Sequence, residues 1–311
     1  SNVTYEELVQ IEYEFDDVEL EIIRQQTALN APLYAKRQAV TSRIPNFWPL
    51  VFEQGPSDIG QMIQPTDSEI FAECLTGFSV SRFELPGGSP RSVAIRFEFD
   101  ASKNKWFADE VLEKKFWFRR ARDGWTGLVS EPLKVQWREG MDITDGLTDA
   151  AVGLWEARKE LLAAQKGGPA AAPPPGAVQA LPQFKALADK LDNSDEGARS
   201  IFAFFGFIKK GEKVQEEKPA GEEPEEDEVD ADICPVADEL AMTFADDMWP
   251  NAIKYFTAAQ EMDMDNMSHD FEGTDEDVDD DEDDEDEQID IRSLVKGKEK
   301  GSDSPPAKRR K

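Results

Sequence analysis

Cysteine and histidine are almost missing from this chain: Cys74, Cys234 and the single His269 are all it has in 311 residues. Two thiols so far apart, in no CxxC pair, give neither a disulfide framework nor a zinc site, and they fit a reducing compartment. One histidine leaves no HExxH, Ser-His-Asp or Cys-His arrangement to build, and no GxxxxGK(S/T) loop occurs. Carboxylate-only chemistry stays open, but no pair stands out among 66 acids, so the expectation is a protein that is not an enzyme and needs no cofactor. Also missing are an apolar run near eighteen residues and a charged-then-apolar leader. The expectation is therefore a soluble, intracellular chain with neither a membrane span nor a signal peptide. Ser1 in place of Met points to a trimmed start, and no internal repeat is visible.

Bases are absent where acids are densest. Residues 270 to 290 read DFEGTDEDVDDDEDDEDEQID, with fifteen acids and no Lys or Arg, and they supply much of a formal charge of −31. No folded core buries such a run, so it is expected to stay a disordered polyanion, and a protein carrying its own polyanion is expected to handle polycations. The bland alternative is a solubilising bristle. Calcium is a further reading, but Asp263, Asp265 and Met267 fail the EF-hand pattern and no Gly stands at its sixth position, so no metal site is expected. The chain ends in Lys308, Arg309, Arg310 and Lys311 after Pro305-Pro306, which reads as an exposed nuclear localisation signal or as a stray basic end. That end could also fold back on the acidic run, and Ser304 and Thr274 are candidate phosphorylation sites.

What is plentiful is apolar and aromatic residues between Tyr5 and Glu160, enough for a sizeable core. Thr4 with Glu7 reads as a capping box. Leu8, Phe15, Ile22 and Leu29 then share one heptad position, with Ile11, Val18 and Gln25 three residues on. A helix from Thr4 to about Ser42 is roughly 55 Å long at ~1.5 Å per residue, with Pro32 inside it as an expected kink. Either it lies on its own core or it forms a two-helix seam with a second copy. Short helices follow, one capped by Asn46 with Phe47, Trp48, Val51 and Phe52 inward, another from Thr66 with Glu69 completing a second capping box and Ile70, Phe71, Cys74 and Leu75 inward. Phe78 and Val80, then Val93, Ile95, Phe97 and Phe99, alternate about a turn at Pro86-Gly87-Gly88-Ser89-Pro90 and predict an antiparallel hairpin. Val111 to Arg119 and Leu133, Val135, Trp137 supply two more strands, for a sheet of about four. Asp149 to Gln165 reads as helix, Gly167 to Pro175 as linker, Ser200 to Phe205 as core helix, and Ile233 to about Ala259 as the last folded element.

Several of these segments resemble the nucleosome assembly protein family, its SET-type branch in particular. They are Asn30-Ala31-Pro32-Leu33-Tyr34-Ala35-Lys36-Arg37, Ile44-Pro45-Asn46-Phe47-Trp48, Leu75 to Glu84, Phe97-Glu98-Phe99-Asp100, Ser200-Ile201-Phe202 and Trp249-Pro250-Asn251. The resemblance spans roughly residues 4 to 265, with insertions near 166–181 and 209–232. It implies an α+β protein: a long dimerisation helix (1–42), an earmuff histone-binding domain with a roughly four-stranded antiparallel sheet packed by helices (43–265), and a disordered acidic tail (266–311). It also implies a homodimer held by antiparallel helices, whose seam holds Leu8, Ile11, Phe15, Val18, Ile22 and Leu29.

The implied function is a nuclear histone chaperone, possible shuttling with the cytoplasm included. It binds core histones, shields their charge and promotes nucleosome assembly and disassembly, with DNA engaged only indirectly or weakly and no membrane. The alternative is a non-catalytic cofactor or regulator of a histone-modifying enzyme such as an acetyltransferase, or an inhibitor of a phosphatase. Candidate histone-binding acids are Asp246, Asp247, Glu261, Asp263 and Asp265 on the folded part, and Asp275, Glu276, Asp277, Asp279, Asp280, Asp281, Glu282, Asp283 and Asp284 in the tail.

Overall fold

The computed structural model describes residues 4–120, 126–164, 176–195, 199–206 and 232–272. Its first element, α1 (Tyr5–Thr41), has 37 residues, about 55 Å at ~1.5 Å per residue. The expected box closes its start: the Glu7 amide donates to Thr4 Oγ1 at 3.3 Å and the Thr4 amide to Glu7 Oε2 at 3.2 Å. Pro32 sits inside the helix, which continues to Thr41.

Two ion-rich contacts fasten α1 to the domain that follows. Near its middle, Arg91 pairs with Asp16 at 3.6 Å and Glu19 at 3.2 Å, while Arg120 pairs with Asp16 at 3.3 Å and lies 5.4 Å over the Tyr13 ring. Near its end, Arg37 Nη1 donates to the Trp249 carbonyl at 2.5 Å, and the guanidinium sits 4.0 Å from the Trp249 ring centre and 4.8 Å from that of Tyr34.

Next come α2 (Phe47–Glu53), α3 (Ser57–Gly60) and α4 (Pro65–Cys74). Asn46 does stand at the start of α2, but its side chain caps nothing; it takes φ 55°, a left-handed conformation that Asn tolerates better than most residues. The second capping box is shifted from Thr66–Glu69 to Gln64–Asp67, because Pro65 takes the first helical position, where its missing N–H costs nothing. Ile70, Phe71 and Cys74 point inward as expected.

Strands β1 (Leu75–Ser81), β2 (Val93–Phe99), β3 (Val111–Arg120) and β4 (Thr126–Ser130) form one antiparallel sheet in sequential order. Phe78 pairs with Phe97 and Val80 with Ile95 across the first hairpin. The fourth strand is not Leu133, Val135 and Trp137. The Leu133 amide donates to the Phe205 carbonyl and Trp137 makes only an isolated bridge to Phe107, so that segment spends its hydrogen bonds outside the ladder. On one face of the sheet, Phe78 and Phe97 meet Phe52 and Phe244, with ring centres 5.0 to 6.1 Å apart. Such offset and edge contacts add to the hydrophobic burial of each ring.

After α5 (Leu147–Ala163) the chain forms α6 (Pro182–Asp192), a helix the sequence reading missed, packed on α5 through buried Leu187. The expected core helix at Ser200 is a 3-10 turn, Ile201–Gly206, buried throughout. Two buried polar groups fix that turn. Lys114, inward on β3, donates to the Phe205 carbonyl at 2.8 Å and the Glu131 carbonyl at 2.7 Å, and burial holds its ammonium well below its usual pKa. Asp67 accepts from Ser200 Oγ at 2.5 Å and from the amides of Ile201 and Gln64 at 3.1 and 2.8 Å. Where the chain re-enters at Asp232, Ile233 lies against Gly206 so closely that a Cβ there would meet Ile233 Cδ1 at 2.2 Å. Residues 206 and 232 are therefore neighbours in space.

The last expected element proves to be three. They are α7 (Ala237–Thr243), a π-helical turn at Phe244–Met248 and α8 (Ala252–Glu272), broken at Trp249 and Pro250 because proline has no amide to continue the ladder. Helical backbone runs on to Glu272, past the 265 boundary at which a disordered tail was expected to begin.

Two outcomes follow for stability. Burial pushes the Asp67 carboxyl up to about 6, against hydrogen bonds that favour the charged form. A carboxyl whose folded pKa is raised binds protons more tightly in the folded state, so its contribution favours folding at low pH and is lost as pH rises from about 4 to about 6. Urea denaturation across that window should show this fall, and Asp67→Ala should abolish it while costing about 1–3 kcal/mol from orphaned donors. Arg37→Ala should cost a similar ~1–3 kcal/mol by removing a ring contact and a carbonyl hydrogen bond, whereas exposed Lys36→Ala should change the urea midpoint little.

Candidate functional site

No nucleophile or metal cluster organises the described residues. Both thiols are buried and pushed up to about 12 by burial first, which leaves them protonated and inert. Among the described residues no group of three or more His, Cys, Asp or Glu could hold a metal ion, and no helix is long and apolar enough to cross a membrane. His269 lies on the α8 backbone. The features that stand out are two surfaces.

The first is a face of α1. Along one flank Asp16, Leu20, Ile23, Thr27, Asn30, Tyr34, Arg37 and Thr41 are half-buried or buried against the domain. They recur every three or four residues, so they form one stripe of the helix. About a third of a turn away, Leu8, Ile11, Phe15, Val18, Ile22 and Leu29 are all exposed, Phe15 at 69% and Leu29 at 72%. α1 thus lies on its own domain by one stripe and leaves the heptad residues on another exposed. Leu33 at 61% and Val40 at 46% extend the offered stripe toward the end of the helix. Neither falls on the two heptad positions, which continue at 32, 36 and 39; Leu33 and Val40 lie one residue later than 32 and 39, seven apart from each other.

The second surface is acidic. Asp246 and Asp247 sit on the π-helical turn, where the extra residue per turn swings them outward beside α3. They border a shallow groove with Asp58, Met242 and Thr243. Asp246 receives Arg82 Nη2 at 2.6 Å and is still half-exposed. Asp247 Oδ1 accepts from the Asn251 amide group and the Tyr255 hydroxyl, each at 2.9 Å, and burial together with Asp247 pushes that phenol up to about 12. Both carboxylates are thus positioned by their neighbours. Asp58, far away in sequence, joins them only through the fold. Glu261 is exposed on α8, and Asp263 and Asp265 follow on the same helix. The nine tail acids from Asp275 to Asp284, together with Lys308, Arg309, Arg310 and Lys311, lie outside the described residues.

Comparison with known proteins fits this architecture. The family model described as nucleosome assembly protein (NAP) matches residues 3–153. A putative nucleosome assembly protein of Schizosaccharomyces pombe is 31% identical over 149 residues, covering 45% of this chain and 59% of that protein. NAP1-related protein 2 of Arabidopsis thaliana is 23% identical over 261 residues (84% of this chain, 76% of the relative), and Protein SET of Drosophila melanogaster 25% over 242 residues (76% and 64%). Among solved structures, Ccp1 superposes with a TM-score of 0.51 at 23% identity, covering 82% of this chain and 95% of that one. Vps75 does so with 0.50 at 22%, covering 81% and 96%. At such identities the structures speak for the fold: a long first helix carrying an α+β domain with a four-stranded antiparallel sheet. From α1 into the start of α5, over residues 3–153, a little under half of the chain, this protein is similar to the nucleosome assembly protein family.

Proposed function

We propose that this protein is a non-enzymatic histone chaperone that works as a homodimer in the nucleus. Two copies joined along α1 hold their domains and acidic segments around core histones, shield the histones' positive charge, and release them to DNA. The observation that carries the reading is the pairing, in one chain of this family, of an uncovered apolar rod with a dense run of carboxylates. The rod asks for a second copy, since an exposed side chain such as Leu29 or Phe15 gains roughly 1.5–3 kcal/mol when buried. The carboxylates ask for a polycation.

Charge spacing explains how cargo could be taken and given up. An extended acidic run presents a charge every ~3.3–3.6 Å, whereas duplex DNA presents one per ~1.7 Å. The acidic segment therefore competes for histones without outbidding DNA. About ten exposed contacts at ~0.2–1 kcal/mol each give several kcal/mol, near micromolar affinity. Tighter binding draws on the folded surface, where Asp58, Asp246, Asp247 and Glu261 add charge held in place. The basic end at Lys308, Arg309, Arg310 and Lys311 suits nuclear import.

Sedimentation at about 0.15 M salt, alone and with each purified core-histone pair, is the direct test. The full chain should sediment as a dimer and bind at least one pair, and a version ending at Glu272 should bind about tenfold more weakly or worse, with a flatter salt dependence. A chain that binds neither pair would sink the reading; equal binding by the shorter version would move the site wholly onto the folded surface. Phe15→Glu with Ile22→Glu should yield monomers that keep the domain's far-UV spectrum, because both side chains are exposed in the single chain.

A further inference from the structure

Where α6 ends, Arg199 holds Ser194 in a fork. Its Nε and Nη2 both donate to the Ser194 hydroxyl oxygen, at 3.2 and 3.1 Å. The hydroxyl in turn donates to the Leu191 carbonyl at 3.0 Å. Two guanidinium donors side by side match two oxygens of a carboxylate or phosphate, and a neutral hydroxyl uses only part of that geometry. A phosphoryl group on Ser194 Oγ would meet the fork with little movement of Arg199.

The surroundings suit a modifying enzyme. Ser194 is half-buried, but Asp192, Asn193 and Asp195 beside it are exposed. The run Asp192-Asn193-Ser194-Asp195-Glu196 sets acids before and after the hydroxyl, and a protein kinase whose substrate groove is basic selects such a run by charge. The same acids and the negative end of α6 oppose a phosphate there. They act through screening solvent, whereas Arg199 acts in direct contact through charge-assisted hydrogen bonds. Loss of the hydroxyl proton strands no acceptor, because the Leu191 carbonyl also receives the Ser194 amide at 3.1 Å.

We propose that Ser194 is a phosphorylation site and that Arg199 is its built-in phosphate receptor. In the transfer, Ser194 Oγ attacks the γ-phosphorus of ATP held by an acidophilic protein kinase. The Oγ–P bond forms, the bond from that phosphorus to the β–γ bridging oxygen breaks, ADP leaves, and the hydroxyl proton passes to the kinase's catalytic carboxylate. The phosphate then lies on the Arg199 fork. Arg199 directly precedes Ser200, whose hydroxyl donates to Asp67, so the modification ties the end of α6 to the anchored 3-10 turn. Neither the homodimer nor the histone reading is needed for it.

Two measurements on the full chain test the two halves of the claim. Incubated with ATP and an acidophilic kinase shown to be active on casein, the protein should gain a phosphate that peptide mapping places on Ser194 and that Ser194→Ala lacks. No phosphate at Ser194 overturns the site. With phosphoserine installed at 194 during translation, its phosphorus-31 resonance should titrate at least about half a unit below the ~6 of a free phosphoserine. Arg199→Gln should return that midpoint to ~6 or above, where the neighbouring acids act unopposed. A midpoint at or above ~6 with Arg199 present, or one that Arg199→Gln leaves unmoved, overturns the receptor. Should Arg199→Gln lose the far-UV spectrum of the folded chain, Arg199→Lys serves instead: it keeps the charge without the fork and should lower the midpoint less than Arg199 does. An equal lowering by lysine overturns the role of the fork.

Discussion

A helix of 37 residues carries more apolar surface than the domain beside it can cover, and the rest of the molecule is arranged around that excess. One stripe of α1 is taken up by its own domain through Arg37 on Trp249 and through Arg91 and Arg120 on Asp16. These contacts orient the domain on the rod at two separate points, so the second stripe is presented in a fixed direction. Paired rods would then place their two domains, and whatever acids those domains carry, at a set separation. In the proposed dimer, joining the copies and aiming the domains are tasks given to two faces of one helix.

Inside the domain, polar anchors do what hydrophobic packing alone does not. A cluster of phenylalanines fills space but tolerates sliding, because ring contacts are weakly directional. Lys114 and Asp67 bind particular backbone groups of the segment from Ser200 to Phe205, at the point where the chain has come back from α6 and is about to leave again. Each costs desolvation, visible in the pKa of both groups, and each is offset by hydrogen bonds that only one placement of the turn can supply. Gly206 against Ile233 then brings the departing and returning strands of the chain together. A long, acidic excursion can be inserted there because its two ends already meet in the folded domain.

Much of this was legible in the sequence. The Thr4–Glu7 box and the heptad gave α1 to within a residue, and strict alternation from Val93 to Phe99 gave the central hairpin. What was lost had a physical cause in each case. Leu133, Val135 and Trp137 alternate like a strand, but alternation reports a half-buried extended chain and not what its amides bond to. Thr66–Glu69 satisfies the capping pattern, yet Pro65 had already fixed where the helix begins. α6 follows a stretch rich in Pro, Gly and Ala whose composition drew attention away from Phe184, Leu187 and Leu191. The acidic groove was only half visible: Asp246 and Asp247 could be suspected from their neighbourhood, but the π-helical turn that aims them and the approach of Asp58 are tertiary facts.

The placement of charge is the remaining constraint. A formal charge of −31 spread evenly would oppose both compaction and pairing, since like charges repel wherever they are close. Fifteen of the acids are instead gathered at residues 270–290, from the end of the last described helix onward, in sequence terms far from the rod. At physiological salt the screening length is ~8 Å, so charges well separated from α1 scarcely oppose two rods held by apolar contact at van der Waals range. The acids that do lie on α1 are confined to its first half, from Glu6 to Glu21. Under the proposed function, cargo capture by exposed carboxylates weakens with salt, whereas pairing of α1 through apolar burial would not. The two tasks can be tuned separately because one uses long-range charge and the other short-range packing.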